Sequence, residues 1–260
     1  MRQGLAQGEG TLSVNPETAV LIEASGGWRE LTAAAEENRM PQSVGAVVPR
    51  VMQETFAEMF GRMVLGDDNL WQDGRHPDMI NAGDISSPPV IDECRRLQGE
   101  LALHPLSAKR RLAVVWNAAK LSAESSNSLL KITEEPPAHG IILFISDEDK
   151  FIPTIKSRIW LIHVDLPEEM MQPKAMPEGH DEWAAWMENA RKSSPEILLL
   201  EMQSWERTLV QKNDYKRAAE IDFLVRIIEQ KHLSVPLIED IVFALFKEGV
   251  PDEQIFGGLW

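Results

Sequence analysis

Residues 111–145 read RLAVVWNAAKLSAESSNSLLKITEEPPAHGIILFI, and the fold turns on this stretch. Arg111–Trp116 is continuous, apolar and β-branched, the pattern of a strand covered on both faces, and Gly140–Ile145 repeats it. Between them Ser122 is placed to cap a helix that runs to Glu134 and stops at Pro136-Pro137. A strand, a helix and a second strand with short links predict a parallel pair joined by a crossover helix.

The same alternation extends outward. Thr18–Ala24 (TAVLIEA) is a short apolar run entering the turn Ser25-Gly26-Gly27, which predicts a first buried strand behind a loose lead-in over residues 1–17. WRELTAAAEENR is compatible with a helix that ends before Pro41. From Arg50 to Leu65, Met52, Phe56, Met59/Phe60 and Met63 share one helical face. Asp78–Gly83 predicts a short strand, Val90–Leu103 a helix and Ile159–Val164 a last strand. The sum is an α/β domain with a parallel sheet and flanking helices over 18–166.

Beyond Pro167 the pattern changes. Residues 167–180 contain the Pro-bearing spacer MMQPKAMPEG, and 181–192, 195–212, 214–231 and 235–248 carry helix signals with no strand between them. Ser194-Pro195-Glu196 starts one helix, Asp214 caps another, Ser234 precedes a third, and Gly249 with Pro251 closes it. An all-α domain over 181–260 is expected. Its apolar faces are wide enough to pack against each other and against partners, and Ile255–Trp260 makes an unusually apolar end.

Composition narrows the function. Of 260 residues, 41 are acidic and 26 basic, a net charge of −15, so the chain by itself repels a phosphate backbone and partners must supply positive charge near DNA. The single cysteine, Cys94, excludes an intramolecular disulfide or a Cys-based zinc cluster and fits a buried small hydrophobe. No apolar run is long enough to span a bilayer, and the N-terminal residues lack the order of a secretory signal, so a cytoplasmic location without membrane contact is expected. His76 and Asp78 with Asp73 lie in a loop without ligand spacing, so no metal is expected there. His104, His139, His163, His180 and His232 are scattered and support no nucleophile–base pair.

The composite string VVW-x-AAKLSAESSNSLLKITEEPP, then IILFIS, then FIPTIKSR resembles the ATPase-type module of bacterial DNA polymerase III clamp-loader subunits, most closely those of the delta-prime type. The resemblance covers about 18–166 and implies an AAA+ (P-loop NTPase-like) domain. A hydrolysing member needs a glycine-rich loop ending in Gly-Lys-Ser/Thr to hold phosphates and an acidic pair to hold magnesium. The turn after TAVLIEA offers Ser25, Gly26, Gly27 and Arg29, with no lysine, and the end of RLAVVW offers Asn117-Ala118-Ala119. Read this way the nucleotide loop is degenerate, no cofactor or metal is expected, and the chain is no enzyme on its own but a component of the polymerase complex.

The resemblance also implies that Ser157-Arg158 stands where the family carries a Ser-Arg-Cys motif, with Ile159 in place of the cysteine. Arg158 is then an arginine finger acting in trans on a neighbouring subunit's ATP, with Ser157 beside it and Lys156, Glu134 and Glu135 as interface charges. Ser146 falls at the family's sensor position, and the zinc cysteines expected before His76-Pro77-Asp78 are missing. The implied partners are the clamp-loader ATPase subunits, a delta-like subunit and, through the complex, the sliding clamp and primed DNA. Because only residues 167–260 follow the module, either the family's helical lid or its collar is expected to be reduced. Two other readings stay open: an ATPase with an unorthodox cradle at Ser25–Arg29, and an AAA-like scaffold that bridges replication or repair proteins without a finger.

Overall fold

The computed structural model describes residues 16–66, 69–72, 74–166, 172, 174–231, 233–250 and 255. The chain divides into two compact units, Met1–Leu166 and Pro167–Trp260. The first is built on five parallel strands: β1 (Ser43–Val47), β2 (Met79–Ala82), β3 (Arg111–Val115), β4 (Gly140–Ser146) and β5 (Trp160–His163). Their order across the sheet is β2-β3-β4-β1-β5. The helices are α1 (Pro16–Ala24), α2 (Gly26–Glu36), α3 (Gln53–Leu65), α4 (Ile91–Leu101), α5 (Ala123–Glu134) and the single turn α6 (Pro153–Lys156).

Side-chain alternation along the strands assigns the helices to two faces. Leu112, Val114, Ile141, Leu143, Ile145, Val44 and Ala46 point into a core shared with Ile22, Leu31, Phe56 and Phe60 of α1 to α3. Ala113, Val115, Ile142 and Phe144 point into the opposite core, shared with Cys94, Leu97 and Leu101 of α4, Leu129 and Ile132 of α5 and Ile155 of α6. Every residue of β3 and β4 is buried, which is why RLAVVW and GIILFI read as unbroken apolar runs. This is an α/β fold with a parallel sheet covered by helices on both faces, followed by an all-α unit.

Two elements differ from the sequence reading. Thr18–Ala24 is helical, not a strand: Thr18 and Ile22 share the buried face one turn apart while Val20 is exposed. A seven-residue apolar run fits either element, and packing beside α2 and α3 decides for helix. Helix α1 begins at Pro16, inside the lead-in expected over residues 1–17, and residues 1–15 lie outside the described residues. The first strand is instead SVGAV, whose Gly45 and Ala46 give it little β-propensity. Gly45 is there for space, since a Cβ would come within 2.4 Å of Ile159 Cδ1.

In the second unit the helices are α7 (His180–Ala190), α8 (Pro195–Gln211), α9 (Tyr215–Lys231) and α10 (Val235–Phe246). Trp183 is the hub: its ring meets Trp186, Trp205 and Phe243 edge-on at 5.6, 6.2 and 6.2 Å. Glu239 is buried and takes the Arg191 guanidinium at 3.0 Å. The described part of the spacer is tied to α8, because Ser204 Oγ donates to Gln172 O and accepts from Lys174 N, and Thr208 Oγ1 donates to Lys174 O. Of the apolar end Ile255–Trp260, Ile255 is helical and the rest lies outside the described residues.

The pair Gly26-Gly27 opens α2 behind the N-cap Ser25, whose hydroxyl accepts from Trp28 N at 3.3 Å. A Cβ on Gly27 would lie 2.1 Å from the carbonyl oxygen of His163 at the end of β5. Gly27→Ala is therefore expected to lower stability by about 2 kcal/mol, the overpacking penalty exceeding the ~1 kcal/mol gained in helix propensity. Denaturant midpoints of the two proteins check this.

Candidate functional site

In an open α/β sheet a ligand sits beyond the carboxyl ends of the strands, where the strand order turns back. Here that place is the end of β1, flanked by β4 and β5. The segment that follows is Val48-Pro49-Arg50-Val51-Met52, then Gln53-Glu54-Thr55 at the start of α3. The degenerate nucleotide loop expected at Ser25, Gly26, Gly27 and Arg29 is therefore misplaced: Ser25 caps α2, Gly26, Gly27 and Arg29 lie within it, and Arg29 is exposed.

Several donors of the segment after β1 are engaged within the protein. Val48 N–H donates to Ser146 O at 2.8 Å, Pro49 has no N–H, Met52 N–H donates to Pro49 O at 2.8 Å, and Gln53 N–H donates to Arg50 O. The Gln53 side chain, itself buried, donates to Val48 O at 3.1 Å. Glu54 adds a carboxylate to the first turn of α3, where an anion would have to sit. A phosphate cradle needs several N–H groups converging on open space.

The neighbouring strand ends are likewise engaged with the protein. Asn117, after β3, is buried with φ 47° and donates from Nδ2 to Asp84 O at 2.8 Å. Asp84 accepts from Ser86 N and Ser87 N at 2.7 and 2.8 Å. Burial opposes its ionisation, but these two N–H groups, the Ser87 hydroxyl and the Arg50 guanidinium outweigh it and hold the carboxyl below its ordinary range. Ser146 is fully buried at the end of β4, its hydroxyl near Glu148 N at 3.4 Å.

Glu134 of the EEPP segment and Arg158 at the end of the composite motif lie 24 positions apart in sequence, yet they meet as an ion pair. Arg158 Nε donates to Glu134 Oε1 at 2.6 Å, and Nη1 donates to Thr154 O at 2.6 Å and Ser157 Oγ at 3.1 Å. The pair is at the surface, with side chains 35% and 47% exposed. Glu135 is the exposed C-cap of α5. Lys156 reaches Asp149 at 2.5 Å, and His163 stands 3.7 Å from the same carboxylate. The structure thus brings Glu134, Ser157 and Arg158 together, and leaves Ser25, Gly26, Gly27 and Arg29 elsewhere.

Asp78 has a structural task. It is fully buried and accepts from Leu106 N at 2.5 Å, Ser107 N at 2.8 Å, Ser107 Oγ at 2.9 Å and Ala108 N at 2.8 Å, while Arg111 Nε lies 3.7 Å away. His76 Nδ1 accepts from Asp78 N at 3.0 Å, and its ring lies 5.2 Å from Trp71. The third residue of that group, Asp73, lies outside the described residues, as does His232; no cluster of three metal-ligating side chains occurs among those described. Cys94 is buried, and burial raises its thiol pKa.

Residues 68–168 match the family model for "DNA polymerase III, delta subunit". The chain resembles clamp-loader subunits of DNA polymerase III. It is 33% identical over 94 residues to the gamma/tau subunit of Mycobacterium tuberculosis, covering 36% of this chain and 16% of that one. It is 28% identical over 110 residues to the delta-prime subunit of Bacillus subtilis, covering 41% of this chain and 32% of that one. The match therefore spans less than a third of each of these curated relatives. Among solved structures, a DNA polymerase III gamma subunit-related protein of Thermotoga maritima aligns with a TM-score of 0.46 at 16% identity, over 75% of this chain and 77% of that one. The clamp loader delta protein of Bacillus subtilis aligns with a TM-score of 0.40 at 10% identity, over 77% and 57%.

The Asp78 carboxylate gives a pH-dependent signature. Burial alone would raise its pKa, but the Ala108, Leu106 and Ser107 N–H groups and the Ser107 hydroxyl lower it on balance. A carboxyl depressed in the folded state stabilises above its unfolded pKa of about 3.9, and that stabilisation fades as pH falls through the lower folded value. Asp78→Asn sets an amide donor against these donors and is expected to lose about 3 kcal/mol at neutral pH. Urea titrations from pH 7 to pH 3 should show the gap between the two proteins narrowing only at the acid end.

Proposed function

We propose that this chain is a non-hydrolysing clamp-loader subunit of the delta-prime type, a stator that presents Arg158 in trans to the ATP of a neighbouring ATPase subunit during loading of the sliding clamp onto primed DNA. One contrast carries the reading: Arg158 stands at the surface beside the EEPP segment, while the segment after β1 bonds to its own protein where a phosphate would sit. A guanidinium is permanently charged and forked, suited to the charge that spreads over a γ-phosphoryl group in the transition state. The catalytic contribution is electrostatic and belongs to the neighbour's reaction.

The partners under this reading are the clamp-loader ATPase subunits and a delta-like subunit. With a net charge of −15, the chain contributes little attraction to DNA phosphates, and the assembly supplies it. Among the described residues no helix is long and apolar enough to cross a membrane.

In a complex reconstituted with its ATPase subunits, Arg158→Ala is expected to reduce DNA-stimulated ATP turnover about a hundredfold or more while the variant folds normally. Wild-type turnover would remove the finger. Isothermal titration of the isolated chain with Mg-ATP is expected to give no heat of binding; micromolar affinity with turnover would instead favour an ATPase of this fold.

A further inference from the structure

The Arg158 guanidinium is not free to swing. Two of its three nitrogens are engaged: Nε by Glu134, and Nη1 by the Thr154 carbonyl and the Ser157 hydroxyl. Nη2 has no hydrogen-bond partner among the described residues, although the side chain is 35% exposed. The contacts fix the plane of the group and leave Nη2 as its one nitrogen not engaged among the described residues.

The frame behind these contacts is stiff. Glu134 closes α5 just before Pro136-Pro137, and Arg158 follows α6 directly. Ile155 of α6 is 1% exposed and shares a buried cluster with Leu129 and Ile132 of α5. The two backbones that carry the ion pair are therefore locked by close packing, and a change at Glu134 acts on the arginine side chain rather than on the fold.

Resting on the reading of Arg158 above, we propose that Glu134 is the positioning residue of the finger: it holds Nε so that the Nη2 edge of Arg158 faces the neighbouring subunit's nucleotide. An arginine side chain has several rotatable bonds, and fixing them before the neighbour docks leaves less freedom to lose when the transition state forms. The carboxylate has an opposing effect, because a negative charge close to the guanidinium repels an approaching phosphate. What positioning requires is the acceptor oxygen, and a neutral acceptor of the same length serves.

The test uses the reconstituted complex with Mg-ATP and four variants of this chain: Glu134→Ala, Glu134→Gln, Arg158→Ala and the double Glu134→Ala/Arg158→Ala. Glu134→Ala is expected to lower kcat about tenfold at unchanged KM for ATP, while Glu134→Gln stays near the unsubstituted protein. The double variant is expected to be no slower than Arg158→Ala alone. Thermal melts of the full chain should be the same for all four, since the pair is exposed. If Arg158→Ala is slow but Glu134→Ala turns over normally, or if Glu134→Gln is as slow as Glu134→Ala, the positioning role is overturned and the finger stands. If Arg158→Ala itself turns over normally, the reading beneath both falls.

Discussion

The architecture of the first unit depends on one requirement, that a parallel sheet be covered on both faces. All seven residues of β4 are buried, so side chains of alternate parity need separate cores. Helices α1 to α3 supply one and α4 to α6 the other. Once that is satisfied, the crossover connections set where each strand delivers its loop, and the carboxyl ends of β1, β3 and β4 fall side by side. The same packing brings α5 against α6 and so places Glu134 within reach of Arg158.

What the adjacent strand ends do with this geometry differs from what the scaffold permits. The segment after β1 turns the N–H groups of Val48, Met52 and Gln53 onto neighbouring carbonyls, Asn117 clamps the Asp84 carbonyl, and Asp84 organises Ser86 and Ser87. Several polar groups at this end of the sheet engage one another, although Gln53 Oε1 and Thr55 Oγ1 are buried without a hydrogen-bond partner among the described residues. Asp78, at the other end of β2, plays a comparable part by gathering the loop before β3. The exposed cation at Arg158 lies apart from these closed networks, and the proposed role of the chain follows from that asymmetry.

The legibility of the sequence varied by element, for physical reasons. β3, α5 and β4 could be read because fully buried strands are continuous in hydrophobicity and because Ser122 and Pro136-Pro137 mark the helix ends locally. α1 and β1 could not. TAVLIEA has the composition of a strand and SVGAV does not, and only the contacts of α1 with α2 and α3, and of Gly45 with Ile159, reverse these preferences. The misplaced first strand carried the degenerate nucleotide loop with it, to a Gly-Gly pair of which Gly27 in fact avoids a clash with the His163 carbonyl. The run of apolar residues from Val44 to Val48, bounded by Pro41 and Pro49, was the available signal for the right position.

By itself the sequence determined the alternating α/β pattern of 90–164, the helical character of the second unit and the motifs that resemble clamp-loader subunits, because each is written in local periodicity, caps and short strings. Only the tertiary structure decided which strand leads to the ligand end of the sheet and that Glu134 and Arg158 form one ion pair. Both depend on neighbours far apart in the chain, and a contact between α5 and the end of α6 exists only after the sheet face on which both pack has folded.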